Sequence, residues 1–248
     1  MSALAVKNLS KRFGGLVVTN DVTFSVQPGE CHALIGPNGA GKTTLISQLM
    51  GELVSDGGTI SLRGRRIETL PSHARARAGL ARSFQITNLV KRRSVLDNML
   101  LALIGRNGHA FTFFRPLSSE AALITEATDL LAHFSFAGRL HEPVSELSHG
   151  EQRVLELAMA LAAKPAVLLL DEPMAGLGHE ETIKMTDILG ELRGEIAMLL
   201  VEHDMDAVFR LADRVTVLVS GSVLMTDQPA VVRSDPRVRD LYLGENAS

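Results

Sequence analysis

Residues 31–50 limit most sharply what this chain can fold into. A run apolar but for His32, Cys31–Ile35, leads into Gly36-Pro37-Asn38-Gly39-Ala40-Gly41-Lys42-Thr43-Thr44, which opens into Leu45-Ile46-Ser47-Gln48-Leu49-Met50. The first run is apolar on both faces, as a strand buried in a parallel sheet must be. The last reads as a helix. Strand, glycine loop and helix in this order form a cradle for phosphate: glycines let backbone N–H groups turn inward, and the helix N-terminus adds the positive end of its dipole. Lys42 then brings a point charge to the β- and γ-phosphates, and the Thr43 hydroxyl a ligand for Mg²⁺. The loop calls for a nucleoside triphosphate. It does not fix the fate of the phosphate.

A second strand, Val167–Leu170, answers part of that question, because it ends in Asp171-Glu172-Pro173. Ligands of open α/β sheets bind beyond the carboxyl ends of the strands, so Asp171 is placed to hold Mg²⁺ through water and Glu172 to polarise an attacking water. A third buried strand, Ala197–Val201, precedes His203. Elsewhere, Leu4–Asn8 and Val22–Val26 read as strands, with a turn at Pro28-Gly29. Thr59–Leu62 with Arg63-Gly64-Arg65 reads as a hairpin, as does Val215–Met225 around Ser220-Gly221. Residues 86–165 are richer in helix formers, with helical spacing of apolar residues over Glu120–Phe134, and mark a second lobe.

Composition sets outer bounds. At 248 residues and 46% hydrophobic, the chain supports one large domain or two small lobes. A net charge of −3 argues against a global field for nucleic acid. The single cysteine, Cys31, cannot form an internal disulfide, and Met1-Ser-Ala-Leu-Ala-Val lacks a basic and then apolar leader, so the expected setting is cytosolic. Apolar runs such as Ala166–Leu170 and Ile196–Val201 fall far short of the roughly 20 residues that span a bilayer. Any work at a membrane requires other chains to cross it.

Between the phosphate loop and the second strand, Val167–Leu170, lies Leu147-Ser148-His149-Gly150-Glu151-Gln152-Arg153, leading into a helix over Val154–Ala163 that stops at Pro165. Gly36–Thr43, this string, Asp171-Glu172 and His203, in that order, resemble the ATP-binding subunit of ABC transporters over nearly the entire chain. The resemblance implies an α/β fold: a P-loop NTPase core of RecA-like type with an antiparallel β subdomain and a helical subdomain. The expected division of one ABC ATPase domain is 1–85 and 166–248 for the core with its β subdomain, and about 86–165 for the helical subdomain.

The resemblance also distributes roles. Gly36 to Thr44 would bind ATP, with Mg²⁺ on Thr43, Gln85 and Asp171. Glu172, His203 and Gln85 would be catalytic, His203 touching the γ-phosphate and helping to orient Glu172 and water. Gln85, after Ser83-Phe84, matches the glutamine that links the nucleotide to the helical lobe. Phe13, in Lys11-Arg12-Phe13-Gly14-Gly15, stands where an aromatic stacks on adenine, the lesser alternative being a plain core residue. Ser148, Gly150 and Glu151 would serve a nucleotide held by the opposite subunit of a head-to-tail pair. Without the family, Ser148 is an ordinary helix cap with Glu151 as its capping-box partner, and the two roles are compatible. Three departures stand out: His149 in place of the commoner glycine, Glu151 where glutamine is frequent, and Gly178, closing Met174-Ala175-Gly176-Leu177-Gly178, where many relatives have aspartate.

Arg12–Gly15, Ala175-Gly176-Leu177 and the tail Leu241-Tyr242-Leu243-Gly244-Glu245 are similar to the branched-chain amino-acid group of importers, which includes urea and short-amide systems. That likeness implies two transmembrane permease subunits, a second ATPase subunit (a copy or a paralogue), an extracytoplasmic solute-binding protein acting indirectly, no nucleic acid, and a place on the cytoplasmic face of the cell membrane. The rival function is a soluble ABC-type ATPase of DNA repair or translation. Repair members carry a long coiled coil for which the stretch from Gln85 to Leu147 leaves no room, and translation members carry two ATPase halves. A regulatory module that binds without hydrolysing is opposed by Lys42, Glu172 and His203. Finally, residues 61–93 hold nine Lys/Arg against one acid, Glu68; this run is either a solvated face or a surface near anionic lipid. The segment Gly105–Ser118, with Phe111, Phe113 and Phe114, either packs the helical lobe or faces a partner.

Overall fold

The structure, a computed structural model, describes residues 1–83, 89–107 and 121–243. Gln85, Phe111, Phe113 and Phe114 lie outside the described residues. Two sheets organise the chain. A four-stranded antiparallel sheet runs in the order β2 (Leu16–Val26), β1 (Leu4–Phe13), β4 (Gly57–Leu62), β5 (Arg65–Arg66). A six-stranded sheet runs β10 (Ser222–Asp227), β9 (Arg214–Val219), β3 (Cys31–Ile35), β8 (Ala197–Val201), β7 (Val167–Asp171), β6 (Leu80–Ser83). Its strands are parallel except β10, which turns back along β9.

The two-faced apolar strands expected from the sequence are fully buried, and their side chains alternate between cores. Val167 and Leu169 of β7, with Ala197, Leu199 and Val201 of β8, face the antiparallel sheet across helix α1 (Lys42–Met50). Leu168, Leu170, Met198 and Leu200 face the other way, onto helices. This period of two buries every residue of both strands. Full burial of a Leu or Ile side chain stabilises by about 1.5–3 kcal/mol, so these strands form a rigid base for the loops at their ends.

Between α1 and the edge strand β6 the chain forms a short helix, α2 (Ser72–Arg77). The helical segment then supplies α3 (Val95–Asn107), α4 (Ala121–His133) and α5 (His149–Ala162). It does not build a separate core: Met99, Leu103, Leu131 and Leu155 join one cluster with the face of β7 and β8 and with Met185 and Leu189 of α6 (His179–Leu192). Helices α7 (Met205–Leu211), α8 (Pro229–Ser234) and α9 (Pro236–Leu243) cover β9 and β10. No helix among the described residues is long and apolar enough to cross a membrane.

The basic run of residues 61–93 does not form one surface. Arg75 is buried and donates to the carbonyls of Gln48 and Leu49 at the end of α1, and to those of Leu70 and Glu68. Arg66 pairs with Glu68, and Arg82 with Asp171 and Glu52. The exposed cations that remain are Arg63, Arg65 and Arg77, apart from Lys91, Arg92 and Arg93. Cys31 is buried, and burial pushes its thiol up to about 12.

Candidate active site

Because β3, β8 and β7 are adjacent and parallel, the loops that follow them meet at one sheet edge. The phosphate loop follows β3, Glu202-His203 follows β8, and Asp171-Glu172 closes β7. The loop is shaped by close backbone approach. A Cβ on Gly36 would lie 2.1 Å from the Leu218 carbonyl oxygen, and one on Gly41, at φ +101°, 2.5 Å from that of Val18 in β2. Gly41 is the N-cap of α1, with no side-chain cap and no acidic residue in the first turn. Those first-turn amides and the helix dipole are left for an external anion. Lys42 is 7% exposed, and its ammonium donates to the carbonyls of Gly36 (2.5 Å) and Pro37 (3.1 Å), which ties it back onto the loop. Thr43 is exposed on the first turn, and Thr44 is half-buried behind it.

Phe13, at the end of β1, is 50% exposed with the Lys11 ammonium 5.5 Å from its ring centre. Its alternative reading as core is therefore incorrect. The same hairpin passes Val18 against Gly41, which puts an open aromatic face on the element that flanks the loop.

Glu172 adopts φ +50°, a left-handed conformation costing roughly 1–2 kcal/mol for a residue with a Cβ. Its neighbours hold it there: its N–H donates to the Val201 carbonyl at 2.8 Å, and its own carbonyl accepts from Ala175 at 3.0 Å. The turned backbone places Glu172 Oε1 2.9 Å from His203 Nε2. A carboxylate and an imidazole so paired, both partly open to solvent, can share the handling of one water proton.

Two residues that the sequence reading passed over set this geometry. Glu202, 5% exposed, accepts from the Met174 N–H with Oε1 (2.8 Å) and from the His203 N–H with Oε2 (2.9 Å). Burial raises its carboxyl above the ordinary range; the amides of Met174, His203 and Asp204 oppose this, and the nearby Glu172 charge adds to it. One carboxylate thus braces the loops carrying Glu172 and His203. A glutamine here has a single acceptor oxygen, and its NH₂ would face one of the two donors, leaving a buried N–H unpaired at about 1–3 kcal/mol. Glu202→Gln is accordingly expected to lower kcat for ATP about tenfold with KM nearly unchanged, since the phosphate loop is untouched. Steady-state kinetics check this, and an equal loss in KM would contradict it.

Arg82, from β6, holds Asp171 Oδ2 at 2.6 Å and reaches Glu52 at 3.2 Å. Asp171 is 6% exposed, so its charge has a built partner. For a divalent cation this edge offers hard oxygen donors, the Thr43 hydroxyl and the Asp171 carboxylate. Few protein oxygens beside substrate phosphates suit Mg²⁺. Among the described residues no group of three or more His, Cys, Asp or Glu forms an all-protein cage.

Ser148 caps α5 in a complete capping box: its Oγ accepts from the Glu151 N–H (3.2 Å), and Glu151 Oε2 accepts from the Ser148 N–H (2.8 Å). Glu151 Oε1 meets Arg139, so both of its oxygens brace the turn. His149 is exposed and stands next to Gly176, in the loop after Glu172. The third passed-over residue is Glu181, in the first turn of α6, whose carboxylate rests on Ser148 and Gly150. The Gly178 amide, with the Ser148 hydroxyl, the Gly150 amide and His149, holds its carboxyl below the usual range.

Residues 19–175 match the family model described as ABC transporter. The chain is similar throughout to the high-affinity branched-chain amino acid transport ATP-binding protein LivG of Salmonella typhimurium, 39% identical over 251 residues that cover 98% of each chain. It is likewise similar to the branched-chain amino acid transport ATP-binding protein BraF of Pseudomonas aeruginosa, 36% identical over 249 residues and 98% of each. Among solved structures, a nucleotide-free ATP-binding cassette from an ABC transporter matches with a TM-score of 0.86 at 27% identity, covering 98% of this chain and 99% of that one. An ATP-binding cassette in its ADP conformation matches with a TM-score of 0.86 at 26% identity, with the same coverage.

Proposed function

Since this chain belongs to the ABC transporter family as an ATP-binding subunit, an ATPase coupled to transport, we propose that it energises uptake of a small solute of the branched-chain amino-acid class through separate transmembrane permease subunits. The observation that carries this reading is identity of 36–39%, end to end, with ATP-binding proteins of branched-chain amino acid transport. The chain would work at the cytoplasmic membrane face, in a head-to-tail pair with a copy of itself or a paralogue. A solute-binding protein on the far side would deliver the cargo, and no residue of this chain would meet it.

In this mechanism the amides of Gly36–Thr44 and the Lys42 ammonium bind the phosphates, and Phe13 stacks on the base. Thr43, Asp171 and Gln85 would hold Mg²⁺, which when bound would supply positive charge to offset that on the phosphate oxygens. Ser148 and Gly150 of the opposite subunit close over the terminal phosphoryl group, and Glu151 keeps that turn in shape. Glu172 then accepts a proton from water as its oxygen attacks the γ-phosphorus. The β,γ P–O bond breaks, ADP carries the leaving oxygen, and His203 fixes Glu172 and the γ-phosphate in line. Lone subunits are weak ATPases on this scheme, because each site borrows Ser148 from a second chain. Purifying the chain with its co-purifying membrane partners and reconstituting them in liposomes is the test. ATP turnover is expected to rise when leucine, isoleucine or valine and the external receptor are supplied, and a rate indifferent to these solutes would overturn the assignment of cargo.

A further inference from the structure

The donors that the proposed mechanism offers to a neighbour's nucleotide are already in use within this chain. Ser148 Oγ donates to Glu181 Oε1 at 3.2 Å, and the Gly150 N–H donates to the same oxygen at 3.2 Å. The other oxygen, Oε2, accepts from the Gly178 N–H, also at 3.2 Å. Packing makes the arrangement specific. A Cβ on Gly150 would sit 2.5 Å from Oε1 and 2.6 Å from Cδ of Glu181, so the space a side chain would need is the space the carboxylate fills. Residue 178 is also without a side chain; a Cβ there would stand 4.0 Å from Oε2, and a carboxylate at that position would crowd Glu181 with like charge.

The two N–H bonds lie at the long end of their range and the Ser148 O–H bond beyond its own, and Glu181 is partly exposed, so solvent or another anion can exchange for them. A phosphoryl group and a carboxylate cannot both occupy the Ser148–Gly150 donors, since two like charges in contact repel. We infer that Glu181 is a positioning residue that seats an internal anion on the Ser148–Gly150 turn of the unpaired subunit and must release it when the opposite subunit's nucleotide closes on that turn. The inference rests on the reading, proposed above, that this turn serves the partner's nucleotide. Release has a second consequence. Glu181 also ties down Gly178, six residues after Glu172, so its departure frees the loop that follows the base. Seating of one subunit's nucleotide is thereby felt at the other subunit's Glu172.

The test uses the chain with its partner ATPase, copy or paralogue, carrying Glu172→Gln to stop turnover. The ATP concentration at half-maximal pairing is read by light scattering for the parent, Glu181→Ala and Glu181→Gln. Glu181→Ala is expected to lower that midpoint about three- to tenfold, the equivalent of one or two weak hydrogen bonds no longer broken on closure. Glu181→Gln, which keeps an acceptor without charge, is expected to fall between. Binding of a non-hydrolysable ATP analogue to the separate subunit is expected to be unchanged, because Glu181 does not touch the phosphate loop. A midpoint unchanged or raised in both variants makes Glu181 a plain brace and overturns the inference while the parent still pairs. If the parent shows no ATP-driven pairing with either partner, the reading of the turn itself fails. Should Glu181→Ala not fold, Glu181→Gln alone decides by the direction of its shift.

Discussion

Replacing Glu172 by glutamine is expected to lower ATP turnover about 10³-fold while leaving ATP binding within a factor of two or three. Glutamine keeps the length and volume of the side chain, and it can still bond the His203 imidazole, whose Nε2 stands 2.9 Å from Glu172 Oε1. The left-handed backbone at this residue costs both side chains the same, so the bonds to Val201 and from Ala175 hold the turn in either case. What the amide cannot do is accept a proton from the attacking water. The loss should therefore fall on kcat, with the phosphate loop and its affinity intact. Measured in a homodimer carrying the change in both subunits, or by single turnover at the site this chain supplies to a paralogue, an undiminished rate would remove Glu172 as the base.

How far such residues can be found from the sequence depends on how local their causes are. The phosphate loop is legible because strand, glycines and helix are contiguous, and Asp171, Glu172 and His203 because each ends or follows a run apolar on both faces. The edge strand β6 is not: Leu-Ala-Arg-Ser is four residues long with no alternation, and without it Arg82 reads as one more surface cation rather than the partner of Asp171. Arg75 is misplaced for a similar reason, since nothing in its neighbourhood shows that it serves the carbonyl end of α1. Helix α5 starts at His149, five residues before the apolar pattern at Val154, because the Ser148 cap and not periodicity sets its beginning. Glu181 lies 33 residues from Ser148, and Glu202 acts through backbone amides that carry no sequence label. Local chemistry is readable in this chain; contacts made only by folding are not.

The other large effect concerns Lys42, where alanine is expected to weaken ATP binding about 100-fold. Lys42 is 7% exposed, and in the loop its ammonium bonds the Gly36 and Pro37 carbonyls at 2.5 and 3.1 Å. A cation already held by the loop's own carbonyls is ready to exchange them for phosphate oxygens with little reorganisation. Hydrogen bonds to charged groups contribute about 1.5–3 kcal/mol each, and every 1.4 kcal/mol is tenfold in affinity, so losing one or two to the β- and γ-phosphates accounts for two decades. Arginine should not rescue it, because a planar fork cannot take the place of a compact ammonium where the loop carbonyls close to 2.5 Å. Titration with a fluorescent ATP analogue at fixed Mg²⁺ measures the effect. Affinity within threefold of the parent would mean that the loop amides and the α1 dipole hold the triphosphate alone, and that Lys42 serves the loop's own carbonyls instead of the ligand.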